Sequence, residues 1–165
     1  YPNGFELTLL YSPSRPGPMA QQSAILMQSM LGKICIKVTL EQVASGTEFS
    51  DRFLKGHYDA IVWQEPPLIA DPYFSAAIYN TSGSFQNSFG FNSPEYDQLV
   101  RDVATTAPGP DRDAKMSELA GLGVTAYPVI YLVDDVFLQA HRANIAGYVA
   151  RPDGEVYASE LVKGN

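Results

Sequence analysis

Cysteine is nearly absent. Cys35 is the single thiol in 165 residues, which excludes an internal disulfide and any zinc site built from several thiolates. Histidine is almost as scarce, and His57 and His141 lie far apart without an obvious nucleophile beside either. Basic side chains number 11 against 18 acidic ones, for a net charge of −7. So few scattered cations cannot neutralise a run of phosphates, and no nucleic-acid partner is expected. No apolar run approaches the roughly 20 residues that cross a bilayer. Tyr1-Pro2-Asn3-Gly4 is neither basic nor apolar, so any export signal is expected outside this sequence. Glycine-rich phosphate loops, a His-Glu-x-x-His pair and a Gly-x-Ser-x-Gly elbow are also missing. Nothing here calls for a cofactor or a metal.

What is present is a regular alternation of element types. Phe5 to Tyr11 is aromatic, β-branched and leucine-rich and reads as a largely buried strand that ends at Ser12-Pro13. Ala20, Ala24, Met27 and Leu31 recur at helical spacing, with Gly32 placed for a left-handed cap. Ile34 to Glu41 alternates with a period of two, as a strand does. A short helix is expected from an N-cap at Thr47, burying Phe49, Phe53 and Leu54 and stopping at Gly56. Tyr58 to Trp63 then reads as a third strand, giving a βαβαβ order and an α/β sheet with parallel neighbours.

The second half is less regular. Residues 64–93 are rich in Pro, Asn, Ser, Gly and aromatics, a long connection with one short helix after Asp71-Pro72. Ser93-Pro94 opens a helix with the stripe Tyr96, Leu99, Val100 and Val103, and Asp111 to Gly121 gives another with Met116 and Leu119 inward. Pro128 to Val133 is strongly strand-like, and Val136 to Ala140 is expected to pair with it, before Gly147 and a Pro152-Asp153-Gly154 turn. The length favours one α/β domain over residues 1–165.

Open α/β sheets bind ligands at the carboxyl ends of their strands, which draws attention to Trp63-Gln64-Glu65-Pro66-Pro67. An indole face beside a carboxylate suits an amine-bearing ligand through cation–π contact and a charge-assisted hydrogen bond. The competing reading has Trp63 capping the core and Glu65 in solvent. Asn87, Phe89, Phe91 and Asn92 form a polar and aromatic loop able to line a pocket, or to serve as a plain connector. Asp71-Pro72 fits a capping role better than a ligand contact. Cys35, inside an expected strand, fits packing better than catalysis.

Taken in order, these segments resemble the family-5 extracellular solute-binding proteins, which include dipeptide, oligopeptide, nickel and haem binders. The resemblance runs through Gly4-Phe5-Glu6-Leu7-Thr8-Leu9, Leu31-Gly32-Lys33-Ile34-Cys35-Ile36-Lys37-Val38, and Phe49 with Gly56-His57-Tyr58-Asp59-Ala60. It continues through Trp63, Asp71-Pro72, Asn87, Gly90-Phe91 and Asn92-Ser93-Pro94-Glu95-Tyr96-Asp97-Gln98-Leu99. Arg112, Tyr127-Pro128-Val129-Ile130-Tyr131-Leu132 and Ala146-Gly147-Tyr148 complete the series. Two positions depart from the pattern. The family usually has glycine at Cys35, and similar dipeptide binders carry an aspartate at Pro66 that holds the peptide's amino terminus, leaving Glu65 as the nearest acid.

The resemblance implies part of the C-terminal lobe of a type II periplasmic-binding-protein fold, with an N-terminal lobe and ABC permease subunits as partners. It implies a non-catalytic module that captures a peptide or similar small solute in the periplasm or outside the cell. Trp63, Gln64, Glu65, Asn87, Phe91 and Asn92 are then the expected ligand-binding set. The alternatives are an α/β enzyme domain using Cys35 or Glu65, and a protein-interaction domain.

Overall fold

The computed structural model describes residues 2–14, 18–64, 71–126, 129–133, 140–151 and 156–164. Two compact units divide the chain: residues 1–65 with 78–93, and residues 66–77 with 94–165. The division falls within one helix.

In the first unit, β1 (Phe5–Tyr11), β2 (Ile36–Gln42) and the short β3 (Ala60–Ile61) form a parallel sheet in the order β2-β1-β3. Helix α1 (Pro18–Gly32) joins β1 to β2, and α2 (Gly46–Leu54) joins β2 to β3. The expected βαβαβ order is thus present, with its strands parallel. Because side chains alternate along a strand, β1 feeds two cores. Leu9 and Tyr11 pack with Ala20 and Ala24 of α1, while Leu10 packs with Phe49 of α2, so the two helices cover opposite faces. Burial of β1 is confined to its second half, where both layers meet it. Phe5 and Glu6 are exposed, against the expectation of a largely buried strand.

Two helix ends differ from the sequence reading. Gly32 is the last residue of α1 and does not take the left-handed conformation; three tight turns follow, and Cys35 adopts φ 64° before β2. The N-cap of α2 is Ser45, not Thr47: the Ser45 hydroxyl accepts from the Glu48 amide at 3.2 Å, the spacing of a capping box. Gly56 does stop this helix. At φ 65° it allows His57 N–H to reach the Arg52 carbonyl and its own N–H to reach Phe53, a Schellman ending.

In the second unit, α4 (Pro94–Thr105) buries the predicted stripe Tyr96, Leu99, Val100 and Val103, and α5 (Pro110–Thr125) buries Leu119 with Met116 half-buried. α3 (Pro72–Asn80) runs from this unit into the first. The strand pair expected at Pro128–Val133 and Val136–Ala140 is corrected in its first member. Residues 129–133 carry no strand, and Ile130 to Val133 are exposed despite their apolar, strand-favouring character; propensity without a partner edge does not make a strand. Val136 to Gln139 and the Pro152-Asp153-Gly154 turn lie outside the described residues. Among the described residues, β4 (Ile145–Ala146) pairs antiparallel with β5 (Val162–Lys163), and Ala158–Glu160 forms a 3₁₀ turn.

Candidate functional site

Strand order β2-β1-β3 makes the sheet reverse direction beside β1: the chain leaving β1 turns toward β2, while β3 lies on the other side. The carboxyl ends of β1 and β3 therefore flank a topological switch point, where open α/β sheets form their crevice. Ser12 and Ser14 follow β1, Val43 and Ala44 follow β2, and Val62 to Gln64 follow β3.

The β1 end is tightly built. Ser12 is fully buried, and its Oγ lies 3.0 Å from Ser14 Oγ, which in turn donates to the Ala44 carbonyl at 2.7 Å. Val43 N–H donates to Tyr11 O, and Val62 N–H to Leu10 O, each at 2.9 Å, so backbone pairing extends to the rim on both sides of β1. These serines escaped the sequence reading. The signal was present, since Tyr11-Ser12-Pro13-Ser14 puts hydroxyls at the same edge as Trp63.

Trp63 stands two residues beyond β3, half-buried, with its indole on the α2 face of the sheet. Its ring stacks on Phe53 at 4.0 Å between centroids and on Phe49 at 5.7 Å, nearly parallel to both. Phe53 also meets Tyr58 at 6.3 Å and Tyr79 at 6.5 Å, so an aromatic column runs along this face. The stack fixes the indole plane before any ligand arrives. Gln64 is half-buried beside it, and Glu65 lies outside the described residues.

The loop 81–92 is held from within by Asn87. Its amide donates to Thr81 O at 3.1 Å and Phe91 O at 2.6 Å, and its carbonyl accepts from Phe91 N–H at 2.9 Å. Both donor hydrogens are used in closing the loop. Asn92 is exposed and accepts from the Ser82 hydroxyl at 3.3 Å, and Phe91 is half-buried. Next to Asn87, Ser88 bonds the Tyr58 hydroxyl at 2.8 Å, and its carbonyl lies so close to Gly56 that a Cβ there would sit 2.8 Å away. The loop is thus anchored to residues that precede β3, whereas Trp63 follows it. Burial raises the pKa of Tyr58, and the bond to Ser88 partly opposes that.

Charged groups near this sheet are engaged with one another. Arg52 bonds both Glu41 oxygens and the His57 carbonyl, and that hydrogen bond holds Glu41 below its ordinary carboxylate pKa while raising that of Arg52. In the second unit Asp71 caps α3 by accepting from Tyr73 N–H at 3.0 Å and pairs with Arg112 at 2.8 Å. The backbone bond from Tyr73, joined by Arg112, lowers its pKa, in keeping with a capping role. Cys35 precedes β2 and is exposed, not packed within the strand as expected, at the edge opposite the rim. Among the described residues, no group of three His, Cys, Asp or Glu could hold a metal.

No family model matches the chain. It is 29% identical over 149 residues to the probable D,D-dipeptide-binding periplasmic protein of Escherichia coli (strain K12), covering 88% of this chain and 28% of that one. Its fold matches the dipeptide-binding protein of Pseudoalteromonas sp. SM9913, solved with Met-Leu, with a TM-score of 0.84 at 22% identity, over 99% of this chain and 33% of that one. This chain is similar to the family-5 solute-binding proteins. The binding protein AgaA of Agrobacterium tumefaciens R10, solved with agropinic acid, is a further structural neighbour, 27% identical with a TM-score of 0.70 over 79% of this chain and 27% of that one. The chain thus spans about a third or less of the length of these proteins. Each of these is named for what it binds, none for a reaction.

Proposed function

We propose that this chain is part of the substrate-binding component of an ABC importer, capturing a peptide or a similar small solute outside the cytoplasmic membrane. The observation that carries this reading is the match to a D,D-dipeptide-binding periplasmic protein along 88% of the chain. The sheet supports it: a parallel β2-β1-β3 order ends in a rim where Ser12, Ser14 and Trp63 stand together at one edge. Residues 1–165 then form an α/β portion of one lobe, and the ligand is enclosed against a second lobe, with permease subunits receiving the closed complex. No covalent step is involved. No helix among the described residues is long and apolar enough to cross a membrane.

Trp63 offers its indole edge as a wall of the pocket, with Gln64 and Glu65 following it as polar contacts. Phe91 and Asn92 line the pocket from the neighbouring loop, and Asn87 shapes that loop. Calorimetric titration of the protein at its native length, with di- to pentapeptides of both L and D configuration, tests this directly. A saturable peptide heat is expected, and Trp63→Ala should weaken it by about tenfold or more, or about 1.4 kcal/mol. Trp63→Phe, which keeps a ring on Phe53, controls for loss of fold. Unchanged affinity in both variants would remove Trp63 from the site.

A further inference from the structure

Trp63 and the loop 81–92 are separated in sequence and anchored by different contacts, yet both rest on one buried ring. Phe53, in the last turn of α2, is 3% exposed. Its centroid lies 4.0 Å from that of the Trp63 indole with 13° between the planes, and 6.3 Å from that of Tyr58 with 7° between them. Tyr58 carries the connection onward, because its hydroxyl pairs with Ser88 Oγ at 2.8 Å, next to the Asn87 that closes the loop. A third ring contact, to Tyr79 at 6.5 Å, meets the chain two residues before Thr81. Helix α2 is itself fixed at both ends, by the Ser45 cap and by the turn at Gly56, whose missing Cβ leaves room for the Ser88 carbonyl.

We infer that Phe53 is a positioning residue of the binding site. Through Trp63, and through the Tyr58–Ser88 pair, it holds the indole and the 81–92 loop in fixed relation, so ligand affinity depends on a buried side chain that does not itself line the pocket. The inference rests on the peptide-binding function proposed above. Its physical basis is the shape of the contacts: stacked rings restrict tilt as well as distance, whereas an aliphatic side chain fills similar space and leaves the neighbouring ring free to turn. Interiors are close-packed, so a tilt at Trp63 displaces Phe53, and Phe53 displaces Tyr58 and its partner Ser88. Holding both walls in place beforehand raises affinity, because the ligand no longer has to order them. Val38, buried on the α1 face of the same sheet, belongs to the other core and serves as the control.

Peptide titration of the native-length protein, paired with hydrogen exchange over residues 81–92, tests the inference. Phe53→Leu should weaken peptide binding about threefold to tenfold, the span expected for loss of a stacked aromatic pair, and should speed amide exchange across the loop. Val38→Ala should lower the unfolding temperature and leave both readouts near wild type. In a Trp63→Ala background the effect of Phe53→Leu on affinity should shrink to about twofold or less, because the group it positions is gone. Tyr58→Phe keeps every ring and removes only the hydroxyl at Ser88, so it gives a second test should Phe53→Leu not fold. It should speed loop exchange and weaken binding about twofold to fivefold. A wild-type protein that binds no peptide would refute the proposed function, and this role with it. Peptide held equally well by wild type and Phe53→Leu would refute the role alone. So would an equal loss from Val38→Ala, an undiminished Phe53→Leu effect without Trp63, or binding and loop exchange unmoved by Tyr58→Phe.

Discussion

Cys35 holds the left-handed conformation, φ 64°, that glycine adopts freely and other L-residues adopt at a cost. Replacing it with glycine should raise stability by about 0.5–1 kcal/mol, the relief of αL strain less the added freedom of the unfolded chain. A higher urea midpoint at unchanged slope would show it. Gly4 is the opposite case, because a Cβ there would meet the Cys35 carbonyl oxygen at 1.6 Å with φ already 74°. Gly4→Ala should cost at least about 2 kcal/mol by the same measurement. Asn87→Ala removes three hydrogen bonds that close the 81–92 loop, for a loss of about 2–3 kcal/mol at roughly 1 kcal/mol each. Peptide affinity should fall with it, because the proposed pocket is lined from this loop. These residue-level features were only partly legible. The family's usual glycine flags Cys35 as unusual, but the sequence does not show that the left-handed residue is Cys35 and not Gly32.

At the scale of elements, the sheet and its two helices were readable because their signals are local and agree: alternation in β1 and β2, a four-residue rhythm in α1, a stripe in α4. The 129–133 segment shows where that logic stops. Its residues favour a strand, but a strand is completed by a neighbour's edge, which propensity cannot supply. Topology puts Trp63 just beyond the carboxyl end of β3, where the structure has it, whereas Ser12 was passed over because a serine at a strand end looks like punctuation. The Arg52 clamp on Glu41 and the His57 carbonyl ties the end of α2 to β2 and to the approach of β3. Glu41's pKa is lowered in the folded chain, so its contribution is present above the ordinary carboxylate pKa of about 4. It is lost as pH falls through the lower folded value. Glu41→Gln should therefore flatten the decline of stability below about pH 4, with little effect on the shape of the curve near neutrality. An unaltered acid limb would show that the pair is inert, as exposed pairs often are.

For the whole molecule, fold and binding are separate questions. A TM-score of 0.84 at 22% identity establishes the fold, and fold alone does not name a ligand. The resemblance puts Pro66 where similar dipeptide binders carry an aspartate, so under the proposed function a peptide's amino group would need another partner. Glu65 is the nearest candidate in sequence. Glu65→Gln should weaken peptides with a free amino terminus more than N-acetylated ones, since only the former bring a cation to the site. Equal losses for both would assign the amino terminus elsewhere. The measurement that bears most directly on the central claim is thermal unfolding of the native-length protein against a panel of peptides, nickel chelates and sugars. Binding to the folded state alone raises Tm in proportion to RT ln(1 + [L]/Kd). The account predicts a saturable rise with one or more short peptides, and a Tm unmoved by every peptide at millimolar concentration would contradict it.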